Sequence, residues 1–86
     1  MLGATIHEYL KSPDFHPFTI VLTTGEHLTV RDPRAAGLAS IEVRGQRVYA
    51  SAMLFLEIKG DMVVDHVISL STIAKVVKES AHNEHR

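Results

Sequence analysis

Apolar residues along this 86-residue chain recur first with a helical period and then with the period of a strand. Leu2, Ile6, Tyr9 and Leu10 fall on one face of a helix. Thr5-Ile6-His7-Glu8 has the Ser/Thr-x-x-Glu form of a capping box, and Pro13 stops the run. One short helix over about residues 5–11 is predicted. Alone in water so short a helix is marginal, so it must pack on the rest of the chain through Ile6, Tyr9 and Leu10.

Alternation then takes over. Phe18, Ile20 and Leu22 interleave with Thr19, Val21 and Thr23, and Thr24-Gly25 marks a turn. Leu28 and Val30 then point one way, with His27, Thr29 and Arg31 the other. The pair reads as a hairpin. Arg31-Asp32-Pro33-Arg34 breaks the pattern, because proline cannot donate to a ladder. Ile41 and Val43 resume it, Gly45-Gln46 turns, and Val48 opens a return strand. The run from Ala52 to Ile58, AMLFLEI, is apolar on both faces except at Glu57. Gly60-Asp61 is a two-residue hairpin turn. Val63, Val64, Val67 and Ile68 form the next strand, and Ser71 to Val77 a short last one.

One helix followed by five or six strands at hairpin spacing predicts a mostly β fold. The expected architecture is a small antiparallel barrel of Sm-like or SH3-like type. A single domain over residues 1–78 is expected, with 79–86 as a polar, fraying tail. A domain this small buries only roughly 60% of its unfolded surface. AMLFLEI needs cover on both faces. The helix could supply one; a homo-oligomer, with Met53, Phe55, Ile73 and Val76 at its interface, is the expected source of the rest.

Composition narrows the function classes. The net charge is −1 with histidines neutral, without the basic excess typical of a dedicated nucleic-acid binder. The chain has no cysteine, hence no thiolate chemistry and no disulfide framework. No apolar run approaches the length of a membrane span. The first eight residues lack the basic and then apolar pattern of a secretory leader. A cytoplasmic protein with no membrane partner is expected.

Candidate chemistry is sparse. The six histidines are His7, His16, His27, His66, His82 and His85. His82 and His85 stand three apart in the tail, and His16 and His27 could meet across the first hairpin. No metal-ligand motif is present, so no metal or cofactor is expected. Asp65-His66 has the composition of a base with its orienting carboxylate, but neighbours on a strand point to opposite faces. No nucleophile elbow or phosphate loop occurs. Arg31, Arg34, Arg44 and Arg47 form a basic rim if the Pro33 and Gly45 turns share one end of the fold, and rim arginines suit phosphates.

Two resemblances sharpen the expectation. Thr5, Ile6, Glu8 and Leu10, then Phe15, Pro17, Phe18 and Ile20, then Gly25, Leu28, Val30 and Pro33 resemble the pattern of a family of small bacterial proteins of unknown function. Ile68-Ser69-Leu70 and Ile73 resemble that family's last strands. That family carries His-Pro-Glu where this chain has Asp32-Pro33-Arg34, so no role of that His or Glu transfers. It also has an acidic residue where Thr24 stands. The element order is similar to Sm-like barrels, which form rings by strand pairing between subunits and include the bacterial host-factor RNA chaperone. Asp65-His66-Val67-Ile68-Ser69 resembles its Lys-His-Ala-Ile-Ser segment, with the charge reversed at Asp65 and the earlier Phe-Asp pair missing. The expected function is a non-catalytic, oligomeric, protein-binding module. The alternative is an Sm-like RNA- or nucleotide-binding ring that uses the arginine rim.

Overall fold

The computed structural model describes residues 2–79. The expected polar tail lies, apart from Glu79, outside the described residues. Helix α1 spans Leu2–Lys11. It begins before Thr5, which therefore sits inside the helix rather than at its cap. Ile6 is fully buried, and Leu2, Tyr9 and Leu10 pack against the core as the periodicity predicts. Tyr9 meets Phe18 edge-on at 5.3 Å, and Phe15 meets it at 6.2 Å. The Phe-x-Pro-Phe step thus fastens the helix to the first strand.

Eight strands follow: β1 (Phe18–Leu22), β2 (His27–Val30), β3 (Ala36–Gly37), β4 (Ser40–Val43), β5 (Gln46–Tyr49), β6 (Ala52–Lys59), β7 (Met62–Ser69) and β8 (Ile73–Lys78). Short 3₁₀ turns, Pro33–Ala35 and Leu70–Thr72, precede β3 and β8. The chain is mostly β with one leading helix, as expected, but the expected count of five or six strands and the closed barrel are both corrected. The strands form three open antiparallel sheets, ordered β2-β1-β8, β3-β6-β7 and β4-β5. Closure fails at Pro33. It has no N–H for a ladder, and Asp32 caps the 3₁₀ turn that it starts. The strand that resumes, β3, holds only two pairs with β6, Ala36–Phe55 and Gly37–Leu54. A cleft of about 390 Å³ is left beside this break, lined by His27, Arg31, Asp32 and Glu57 among others.

Each hairpin turn follows from its glycine. Gly25 (φ 93°) donates to the Leu22 carbonyl at 2.8 Å, closing β1 onto β2. Arg44 (φ 52°) and Gly45 (φ 80°) both lie in the left-handed region, as a type I′ turn requires. Gly60 (φ 67°), followed by Asp61 at negative φ, matches type II′ and sets Lys59 opposite Met62. The core is one cluster of Ile6, Phe18, Ile20, Leu28, Val30, Leu38, Met53, Phe55, Ile68 and Ile73. The last strand returns to pair with the first, Phe18 opposite Lys78, and Glu79 N–H donates to the Pro17 carbonyl at 2.9 Å.

Candidate interaction surface

Strand alternation divides β6 and β7 into an inner and an outer face. Met53 and Phe55 point inward with Ile68 and are buried. They were expected at an oligomer interface; the structure instead places them, with Ile73, in the chain's own core, and packs Val76 against that core. Apart from Met62 at the turn end of the inner face, the exposed large apolar residues of these two strands are their alternates. On the outer face Leu54 stands opposite Val67, and Ile58 opposite Val63. Ile58 is 74% exposed and Val67 75% exposed. Asp65 is opposite the half-buried Leu56 at the centre of this face.

The outer edge of β7 pairs with no strand among the described residues over all eight of its positions. Long exposed edges with apolar side chains are templates for pairing with another chain. At the far edge of the other three-stranded sheet, β8 carries Lys75 and Lys78.

A trough runs along the outer side of β6. One cavity, of about 590 Å³, lies where α1, β3 and β6 meet; His7 and Lys11 line it together with Leu54 and Val67. A second shares Ala36, Gly37 and Leu54 with the first and adds Arg34, Ala35 and Leu56. A third shares Arg34, Ala35 and Leu56 and reaches Ile58 and Val63. From Ala52 to Ile58 the trough is roughly 20 Å long at the rise of a strand.

The β4–β5 hairpin projects as an arm. Its two strands pack on each other and on no other element to any comparable extent. Its base is held by Ala50 N–H donating to the Ala39 carbonyl at 2.8 Å, and by Tyr49 against the His7 ring at 5.4 Å. Gly3 permits that close approach, since a Cβ there would lie 3.2 Å from Tyr49 Cβ. Ile41, Val43 and Val48 share one face of the arm and are all exposed. The radius of gyration, 13.7 Å, exceeds the roughly 12 Å of a compact chain of this length.

The four arginines fall in two elements that do not pack extensively on each other. Arg31 lines the cleft beside β2. Arg34 folds back on Asp32, donating from Nη2 to Oδ2 at 2.9 Å and from Nε to Oδ1 at 3.1 Å. Those bonds, with the Arg34 backbone N–H, hold the Asp32 carboxyl down to about 2. Arg44 is at the arm's tip, and Arg47 donates to Ser40 Oγ at 3.4 Å. Arg31 and Arg34 thus stand about the Pro33 turn, and Arg44 and Arg47 on the arm.

The histidines likewise do not converge. The β1–β2 register sets His27 against Val21 at the turn end, while Phe18 stands against Val30. His16 therefore lies at the opposite end of the hairpin from His27, beside Asp14 at 3.4 Å. His66 points inward, away from its neighbour Asp65, as strand alternation predicts. Its Nε2 lies 2.8 Å from Glu57 Oε1, and its ring lies 6.0 Å from Phe55. His82 and His85 lie outside the described residues. Among the described residues no three metal-ligating side chains cluster, and no helix is long and apolar enough to cross a membrane.

No protein-family model, curated protein or solved structure matches the chain. The physical features above therefore carry the functional reading.

Proposed function

We propose that this chain is a non-catalytic, self-associating β module that works through contacts with other protein chains. The observation that carries the reading is the apolar outer face of β6–β7, where Ile58, Val63 and Val67 are all more than half exposed beside an unpaired eight-residue edge. Single exposed apolar residues are ordinary, but a contiguous patch of this kind marks an interaction surface. Charge supports the same reading. Asp65 faces outward on β7, and Lys75 and Lys78 lie on β8, so the free edges of two copies carry opposite signs. Pairing β7 with its own copy would instead bring the two Asp65 side chains near one another.

Ring formation of the Sm-like kind is one arrangement of such edges. Among the described residues β8 pairs only with β1, which leaves its outer edge open for such a contact. A small cytoplasmic adaptor is the setting that we infer. Sedimentation velocity at micromolar concentration tests self-association. A species heavier than one chain is expected, and a clean monomer across the concentration range would end the reading.

A further inference from the structure

The break at Pro33 leaves two open strand edges on one cleft. Among the described residues β2 pairs with β1 alone, and its other edge is open along all four residues. β6 pairs with β3 only at Leu54 and Phe55, so from Leu56 to Lys59 its edge on that side is open too. Leu28, Thr29 and Arg31 on the first edge and Leu56 and Ile58 on the second line the same cleft of about 390 Å³.

Both edges turn backbone groups outward. Leu22 N–H donates to the Glu26 carbonyl, and stepping along the register makes Ile20–Leu28 and Phe18–Val30 the hydrogen-bonded pairs. The N–H and C=O of His27 and Thr29 therefore point away from β1. On β6 the two-residue turn makes Lys59–Met62 and Glu57–Val64 the bonded pairs, so those of Ile58 point away from β7. Between the edges Leu28 and Phe55 are buried and apolar. Of the charged groups on the cleft, Asp32 is held by Arg34 and Glu57 by His66. Arg31 forms no ion pair among the described residues.

We propose that this cleft takes one extended segment of a partner protein as an added strand. An extended backbone presents donors and acceptors to both sides, and open sheet edges bind peptides in this way. The segment sets an apolar side chain toward Leu28 and Phe55 and a carboxylate toward Arg31. A folded second copy does not supply it, because each described strand is already paired on at least one side. The contact rests on the protein-binding part of the function proposed above and is independent of self-association.

Heptapeptides displayed on phage are selected on the parent chain, synthesised, and added to the nitrogen-15-labelled chain. The selected peptides should carry Asp or Glu near an apolar residue and slow amide exchange at His27, Thr29 and Ile58. Thr29→Pro and Ile58→Pro each remove one donor that lies outside the ladders. Each should weaken peptide binding on the order of tenfold with the circular dichroism unchanged, and Arg31→Glu should weaken it as well. N-methylation of the peptide at alternate residues, in either phase, should do the same, and that control leaves the protein untouched. No selected binder, a binder that leaves those amides unchanged, or equal binding by the N-methylated peptides would overturn the added strand. Amides of His27 and Thr29 protected in the parent without peptide would overturn the choice of a partner's segment, because the chain or a second copy would already fill the cleft. A monomeric parent that still takes the peptide would remove self-association and leave this contact standing.

Discussion

Glu57 Oε1 and His66 Nε2 meet at 2.8 Å across the inner face of the β6–β7 hairpin, on the diagonal two residues out of direct opposition. Glu57 is the only acid on that face of β6, and each side chain is about one-third exposed. Solvent screening at that exposure keeps the pair modest. A double-mutant cycle on Glu57→Gln and His66→Ala should give a coupling of less than about 1 kcal/mol. A coupling of several kcal/mol would mean that the pair is far more shielded than its exposure indicates.

Phe18 joins helix, hairpin and last strand at one fully buried ring. Replacing it with alanine removes a large side chain from a small core, and the expected loss is about 3–5 kcal/mol. Urea titration of Phe18→Ala should show a large fall in midpoint, or no cooperative transition. At a dilution where the parent is also a single chain, the outer-face change Val67→Asp should shift the midpoint little, because Val67 is 75% exposed. Equal effects from the two changes would place Val67 in the core.

Asp32 accepts from the backbone N–H of Arg34 at 2.9 Å as well as from its guanidinium. Its carboxyl is held down from 3.8 to about 2. A depressed carboxyl stabilises the fold above its unfolded value, and that stabilisation is lost as the pH falls through about 2. Carbon-13 NMR titration should find Asp32 ionised to about pH 2, and Arg34→Ala should return it toward the ordinary value near 3.9. An unchanged midpoint in the variant would remove the Arg34 guanidinium as the cause.

Arg31 and Arg34 flank Asp32, whereas Arg44 and Arg47 ride on the arm. Filter binding of short RNAs at two salt concentrations should show no salt-sensitive retention. Retention that falls with salt and is lost in the variant with Arg44→Glu and Arg47→Glu would support the nucleic-acid ring instead.

Local signals in the sequence read well. Gly25, Gly45 and Gly60 each turn a hairpin where the pattern predicts, and Ile6 anchors a helix at the expected place. The helix start was misread, because Thr5 and Glu8 satisfy the spacing of a capping box from inside the helix. Closure was misread for a different reason: whether β2 reaches β6 depends on the chain's path after Pro33, a long-range property. Two of the interface candidates, Met53 and Phe55, turn inward by parity. Alternation in AMLFLEI separates two apolar faces without saying which one the core takes. The register of β7 decides it, by placing Ile68 against Met53 and Val67 against Leu54. The Glu57–His66 pair was within reach, since the two-residue Gly60-Asp61 turn fixes the register that brings the two residues onto one face.

Multi-angle light scattering on the parent and on Val67→Asp, over a range of concentrations, tests the central claim most directly. The parent should weigh more than one chain and lighten on dilution, while the folded Val67→Asp protein should weigh one chain at concentrations where the parent is associated. A parent that weighs one chain at every concentration, or a variant that associates as the parent does, would contradict the assignment of the outer face as the interaction surface.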